Sequence, residues 1–142
     1  MNIKLDKLFD DYKEVQKELF FSSYEEGALR IKNIQNELLS LSFEFVVKHP
    51  QVREIIFMLE NSLLEIAIYH KQSDDVLLRH YRNLIKMSSC YDVESLCMTS
   101  LNLADEFFRR GNDKAANRIL KKVSHKTKDL VNFCNSINID RK

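Results

Sequence analysis

Glycine occurs twice in these 142 residues, proline once and tryptophan not at all. Sheets need tight turns, and tight turns draw on glycine and proline, so this scarcity argues for long helices joined by brief polar links. With glycine only at Gly27 and Gly111, no glycine-rich loop can cradle a phosphate through backbone amides. The three cysteines, Cys90, Cys97 and Cys134, form an odd set with no CxxC. That pattern indicates neither a disulfide framework nor a zinc knuckle, and they read as small buried apolar residues in a reducing, cytoplasmic setting. No apolar run approaches the roughly 20 residues that a membrane-spanning helix needs. The acidic opening MNIKLDKLFDD does not read as a signal peptide.

Catalytic chemistry is equally sparse. The histidines His49, His70, His80 and His125 form no HExxH. Glu44 precedes His49 by five positions, as Glu65 precedes His70, and that spacing turns the paired side chains to different helix faces instead of the one face a bundle metal site wants. Asp10-Asp11 and Asp74-Asp75 fit solvated or helix-start carboxylates. These histidines are expected at helix ends or packing interfaces, and the chain is expected to be a non-enzyme with no cofactor and no metal.

What is present is a globular composition, 44% hydrophobic and 30% charged, read as one domain over residues 1–142 with a frayed tail at about 138–142. Leu5, Leu8, Tyr12, Val15 and Leu19 step by three and four, the mark of a helix with one buried stripe. Ser22-Ser23 interrupts, and Ser23 with Glu26 makes a capping-box pattern. A second helix carries Tyr24, Ala28, Ile31, Ile34 or Gln35, Leu38, Leu41 and Phe45, and is expected to run to His49-Pro50. A third starts at Pro50 and shows Val52, Ile56, Leu59, Leu63, Ile66 and His70, widened by Ile55, Phe57, Leu64 and Ala67 to nearly all-round apolarity, as a central helix would be. KQSDD breaks it, with Ser73 or Asp74 as the next cap, and Leu77, Leu78, Tyr81, Leu84 and Ile85 follow. After SSCYD, Asp92 can cap a fifth helix bearing Val93, Leu96, Ser100, Ala104 and Phe107. Gly111 is placed to end it in a left-handed cap. Asn112 or Asp113 starts a sixth, with Ala116, Ile119, Leu120 and Val123 inward, and a short last helix is expected from Leu130 to Ile137.

The stretch from Leu103 to Val123, LADEFFRRGNDKAANRILKKV, resembles a tetratricopeptide repeat. Leu103, Ala104, Phe107, Gly111, Ala116, Leu120 and Val123 fall in order on that family's large, small, aromatic, turn and small positions, and the match spans about one repeat, residues 92–127. Upstream, Gly27 and Leu77 would stand where Ala116 stands, and Lys128 replaces the family's usual proline. The resemblance implies an all-α, irregular tetratricopeptide-like array of antiparallel helical hairpins, six to seven helices in all. A plain helical bundle would write the same stripes.

The resemblance also implies a ligand-facing side on the fifth helix. Met98, Leu101, Asn102, Asp105, Phe108 and Arg109 would line a groove for a partner protein or peptide, with Asn102 and Arg109 as polar grips and Met98, Leu101 and Phe108 as the apolar floor.

Charge adds a second feature. Residues 109–142 hold ten Lys/Arg against three Asp/Glu, a net of +7, whereas the first 108 residues carry a net of −6. Lys114, Arg118, Lys121, Lys122, His125 and Lys126 form a basic face on the sixth helix. The leading expectation is a protein–protein interaction module, whether adaptor, chaperone-like or regulatory subunit, with self-association compatible. The alternative is a charge-driven regulator that binds nucleic acid or an acidic surface through the basic C-terminal third. No aromatics interleave with these charges, which makes nucleic acid the weaker partner.

Overall fold

The computed structural model describes residues 3–17, 23–88 and 92–124, and everything described is helix or short link. Seven helices occur among the described residues and no strand does. They are α1 (Ile3–Lys17), α2 (Tyr24–Leu39), α3 (Phe43–Lys48), α4 (Pro50–Tyr69), α5 (Asp74–Met87), α6 (Val93–Arg109) and α7 (113–124). The chain is thus an all-α helical array. Its internal contacts cluster in two compact units, Met1–Asn83 and Leu84–Lys142.

In the first unit α4 is the central element. Its Val52, Leu59, Leu63, Leu64, Ile66 and Ala67 are fully buried and Phe57 nearly so. That explains why its sequence is apolar on almost every side. It packs chiefly against α2, which contributes Ile31, Ile34 and Leu38, while α1 packs on α2 through an apolar face of Leu5, Leu8 and Val15. Gln16 of α1 donates to the Ser62 hydroxyl of α4 at 3.0 Å.

Caps explain most of the helix boundaries. The Ser23 hydroxyl accepts from the Glu26 amide and starts α2. Pro50 opens α4 at its first turn, where a missing N–H costs nothing. Ser73 accepts weakly from the Val76 amide at 3.4 Å, so of the two candidate caps for α5 it is the serine that serves. Asn112 Oδ1 accepts from the Ala115 amide and starts α7.

Two expectations are corrected. The second helix does not run to His49: α2 stops at Leu39, and a separate one-and-a-half-turn α3 follows. The serines flanking Leu41 cause the break. Ser40 Oγ donates back to the Glu37 carbonyl, and Ser42 Oγ accepts from the Phe45 amide as a fresh N-cap. Leu41 and Phe45 are consequently only half-buried, and Phe43 is 82% exposed. Asp92 does stand at the N-cap of α6, but its side chain makes no capping hydrogen bond. Leu19, Ser22, Cys90, Cys134, His125, Lys126, the expected helix Leu130–Ile137 and the expected frayed tail 138–142 lie outside the described residues.

Gly111 has φ +77°, and its amide and that of Asn112 return to the carbonyls of Phe108 and Phe107. This is a Schellman closure. The same closure ends α4, where Lys71 and Gln72 return to Ile68 and Ala67, yet Lys71 holds φ +53° with a side chain. A Cβ in this region costs about 1 kcal/mol. Urea melts should therefore show Gly111→Ala destabilised by about 1 kcal/mol and Lys71→Gly stabilised by up to a similar amount. Equal stability of Gly111→Ala and wild type would mean that the closure is not held in solution.

Candidate functional site

Helix α6 has two sharply different sides. Leu103 and Phe107 are fully buried, with Leu96, Ser100 and Ala104 beside them. The Ser100 hydroxyl satisfies itself locally by donating to the Leu96 carbonyl at 2.6 Å. The other side carries all six residues expected to face a partner, and every one is exposed: Met98, Leu101, Asn102, Asp105, Phe108 and Arg109. The three large apolar members retain much of their surface, 58% at Met98, 52% at Leu101 and 42% at Phe108. Single exposed apolar residues are ordinary, but three on one side of one helix, with Asp105 between the last two, form a patch. Arg109 is ion-paired with Asp105 one turn back, at 2.6 Å. The pair is solvent-facing, so it orients the guanidinium more than it stabilises the helix.

The basic face is also solvent-exposed where it is described. Lys114, Arg118, Lys121 and Lys122 are all exposed on α7, while Ala116 and Ile119 are buried on its opposite side. Leu120 and Val123 are half-buried. Cys97, one of the three cysteines expected inside, is half-buried on α6. Arg110 lies against Glu106 at 3.8 Å.

A second cluster, in the first unit, was not legible in the sequence. Glu60 of α4 is 2% exposed and His80 of α5 is 1% exposed, so both are interior. His80 Nδ1 lies 3.3 Å from Glu60 Oε1, and His80 Nε2 lies 2.7 Å from the Tyr24 hydroxyl of α2. Gln35 Nε2 donates to Glu60 Oε2 at 3.1 Å and to the Ile56 carbonyl at 3.2 Å. Nδ1–H can donate to the carboxylate, and Nε2 shares a hydrogen bond with the phenol.

Burial by itself would raise the Glu60 carboxyl, but hydrogen bonds from His80 and Gln35, the attraction of His80 and a hydrogen bond from Asn83 outweigh it, so it is lowered. Burial pushes the Tyr24 hydroxyl up despite the nearby Arg79 guanidinium, which keeps the phenol protonated and able to donate. The histidines are expected at helix ends or packing interfaces: His49 and His70 flank α4, and the packing interface of α2, α4 and α5 holds His80. Its signal, a polar residue one turn from Leu77 and Leu84 on the apolar stripe of α5, becomes readable only once Glu60 is placed opposite. A carboxylate–imidazole–phenol chain can move protons, but here the carboxylate and imidazole are sealed. Their evident work is to tie α2, α4 and α5 together.

Between α1 and α2 lies a surface groove of about 300 Å³ lined by Lys7, Leu8, Asp11, Asn33, Ile34 and Glu37. Its charges are of both signs. Among the described residues no group of three or more His, Cys, Asp or Glu is placed to hold a metal ion. No described helix is long and apolar enough to cross a membrane. Comparisons with protein-family models, with curated proteins and with solved structures found no match to this chain.

Proposed function

We propose that the chain is a non-enzymatic protein–protein interaction module that engages its partner through the exposed side of α6. One observation carries this reading: Met98, Leu101 and Phe108 stay exposed on the same helix whose opposite side is packed tightly. Leaving that much apolar surface in water is unfavourable by about 25 cal/mol per Å², and a partner that covers it recovers the loss. Asn102 and the Asp105–Arg109 pair frame the patch with polar groups, as the rim of an interface does. The tetratricopeptide-like pattern of α6 and α7 supports the same side as the ligand face. Within the class, adaptor, chaperone-like and regulatory roles share this requirement.

The rival reading, a regulator that binds nucleic acid or an acidic surface, rests on the exposed Lys114, Arg118, Lys121 and Lys122. The two separate experimentally. An affinity pull-down with mass spectrometry should capture a protein with the wild-type chain and lose it with Phe108→Ala and with Arg109→Ala, since aromatic and arginine anchors dominate interface energetics. Reversing Lys121 and Lys122 to Glu should change association rate and salt dependence while retention persists. If the lysine reversal abolished capture and the α6 changes were silent, or if nucleic acid co-purified and dissociated steeply with salt, the charge-driven regulator would replace the interaction module.

A further inference from the structure

The exposed side of α6 has a direction. Glu94 is exposed in its first turn, Met98, Leu101 and Phe108 lie along its length, and Arg109 is exposed in its last turn. An acidic start, a middle in which Asn102 and Asp105 stand among the three apolar residues, and a basic finish make a surface whose ends are complementary when it is reversed. From that polarity we infer that the partner on this face is a second copy of the chain, its α6 antiparallel to the first.

In this pairing Met98 of one copy lies across from Phe108 of the second copy, and the reverse contact repeats it about the two-fold axis. The same alignment brings Glu94 within reach of the second copy's Arg109, twice. The antiparallel direction also sets the positive end of each helix dipole beside the negative end of the other. Parallel pairing would instead place Glu94 beside Glu94 and Arg109 beside Arg109, which repels at both ends. Asp105, already paired with Arg109 at 2.6 Å, holds the guanidinium on the face where the second copy's Glu94 would arrive. The apolar positions 98, 101 and 108, with Asp105 between the last two, keep the three–four spacing that lets two helices interlock along their length. A formal net charge of +1 gives two copies little reason to repel.

The inference rests on the reading of α6 as the interaction face and names its occupant. Sedimentation equilibrium of the full chain over a concentration series tests it, with thermal melting to show that each variant is folded. Wild type should form dimers. Arg109→Glu should weaken the dimer at least tenfold, and Glu94→Arg combined with Arg109→Glu should restore it, because the swap rebuilds both cross-pairs. Phe108→Ala should also weaken it.

A wild-type monomer at every concentration, with Phe108-dependent capture of another protein, overturns self-pairing and leaves the interaction reading standing. A monomer without Phe108-dependent capture overturns both. A dimer untouched by Arg109→Glu and by Phe108→Ala overturns the antiparallel pairing. So does a Glu94→Arg/Arg109→Glu protein no tighter than Arg109→Glu alone.

Discussion

Replacing Glu60 with leucine should cost the fold about 3–5 kcal/mol. The carboxylate is 2% exposed and takes hydrogen bonds from His80, Gln35 and Asn83. Leucine fits the volume but accepts nothing, so an imidazole N–H and an amide N–H are left in the interior, each worth about 1–3 kcal/mol when unsatisfied. Removing one member of a buried polar set is far more damaging than the net value of the set suggests, since the remaining members stay desolvated. Urea unfolding measures the loss directly. A Glu60→Leu protein as stable as wild type would show that these groups are not interior in solution.

The same cluster makes stability depend on pH in a defined direction. Glu60 has a carboxyl lowered below its ordinary 4.5, so its contribution is complete above that value and is lost as the pH falls through the lowered native one. Glu65 works the other way. Partial desolvation raises its carboxyl despite a hydrogen bond from Asn61, so protonation on acidification favours the folded form there, weakly because Glu65 remains exposed to solvent. Glu60→Gln isolates the first effect because glutamine does not titrate. The stability gap between wild type and Glu60→Gln should be full at neutral pH and shrink below 4.5. A gap that widened on acidification would reverse the sign assigned to Glu60.

Phe107 and Phe108 are adjacent and should behave oppositely. Phe107 is 0% exposed, and Phe107→Ala should cost about 3–5 kcal/mol through lost burial and the cavity left behind. Phe108 is 42% exposed, and Phe108→Ala should stay within about 1 kcal/mol of wild type while abolishing partner capture. Stability by denaturant melts and binding by pull-down give a two-by-two outcome that a merely packed Phe108 cannot mimic. If Phe108→Ala destabilised as much as Phe107→Ala, the exposed side of α6 would be core and the proposed interface would fall.

Much of this protein follows from sequence alone, because the relevant physics is local. The three–four spacing of Leu5, Leu8, Tyr12 and Val15, or of Leu96, Ser100, Leu103 and Phe107, marks an inward stripe wherever the helix is placed. Ser23, Pro50 and Gly111 act through bonds and torsions within a few residues of themselves, so their caps and turns could be named in advance. The exposed set on α6 was named through the tetratricopeptide resemblance, and the packing of the opposite stripe leaves all six in solvent. Lys71 was not legible, since nothing in KQSDD marks a side-chain residue that must accept positive φ; only the closure of α4 onto Ile68 and Ala67 imposes it. Nor was the break at Leu41, where apolar spacing continues across Ser40 and Ser42 while their hydroxyls claim the backbone. Glu60 and His80 are twenty residues apart on different helices. Each alone reads as a solvated or interfacial polar group, and only the packing of α2, α4 and α5 removes them from water and makes each the condition for burying the other.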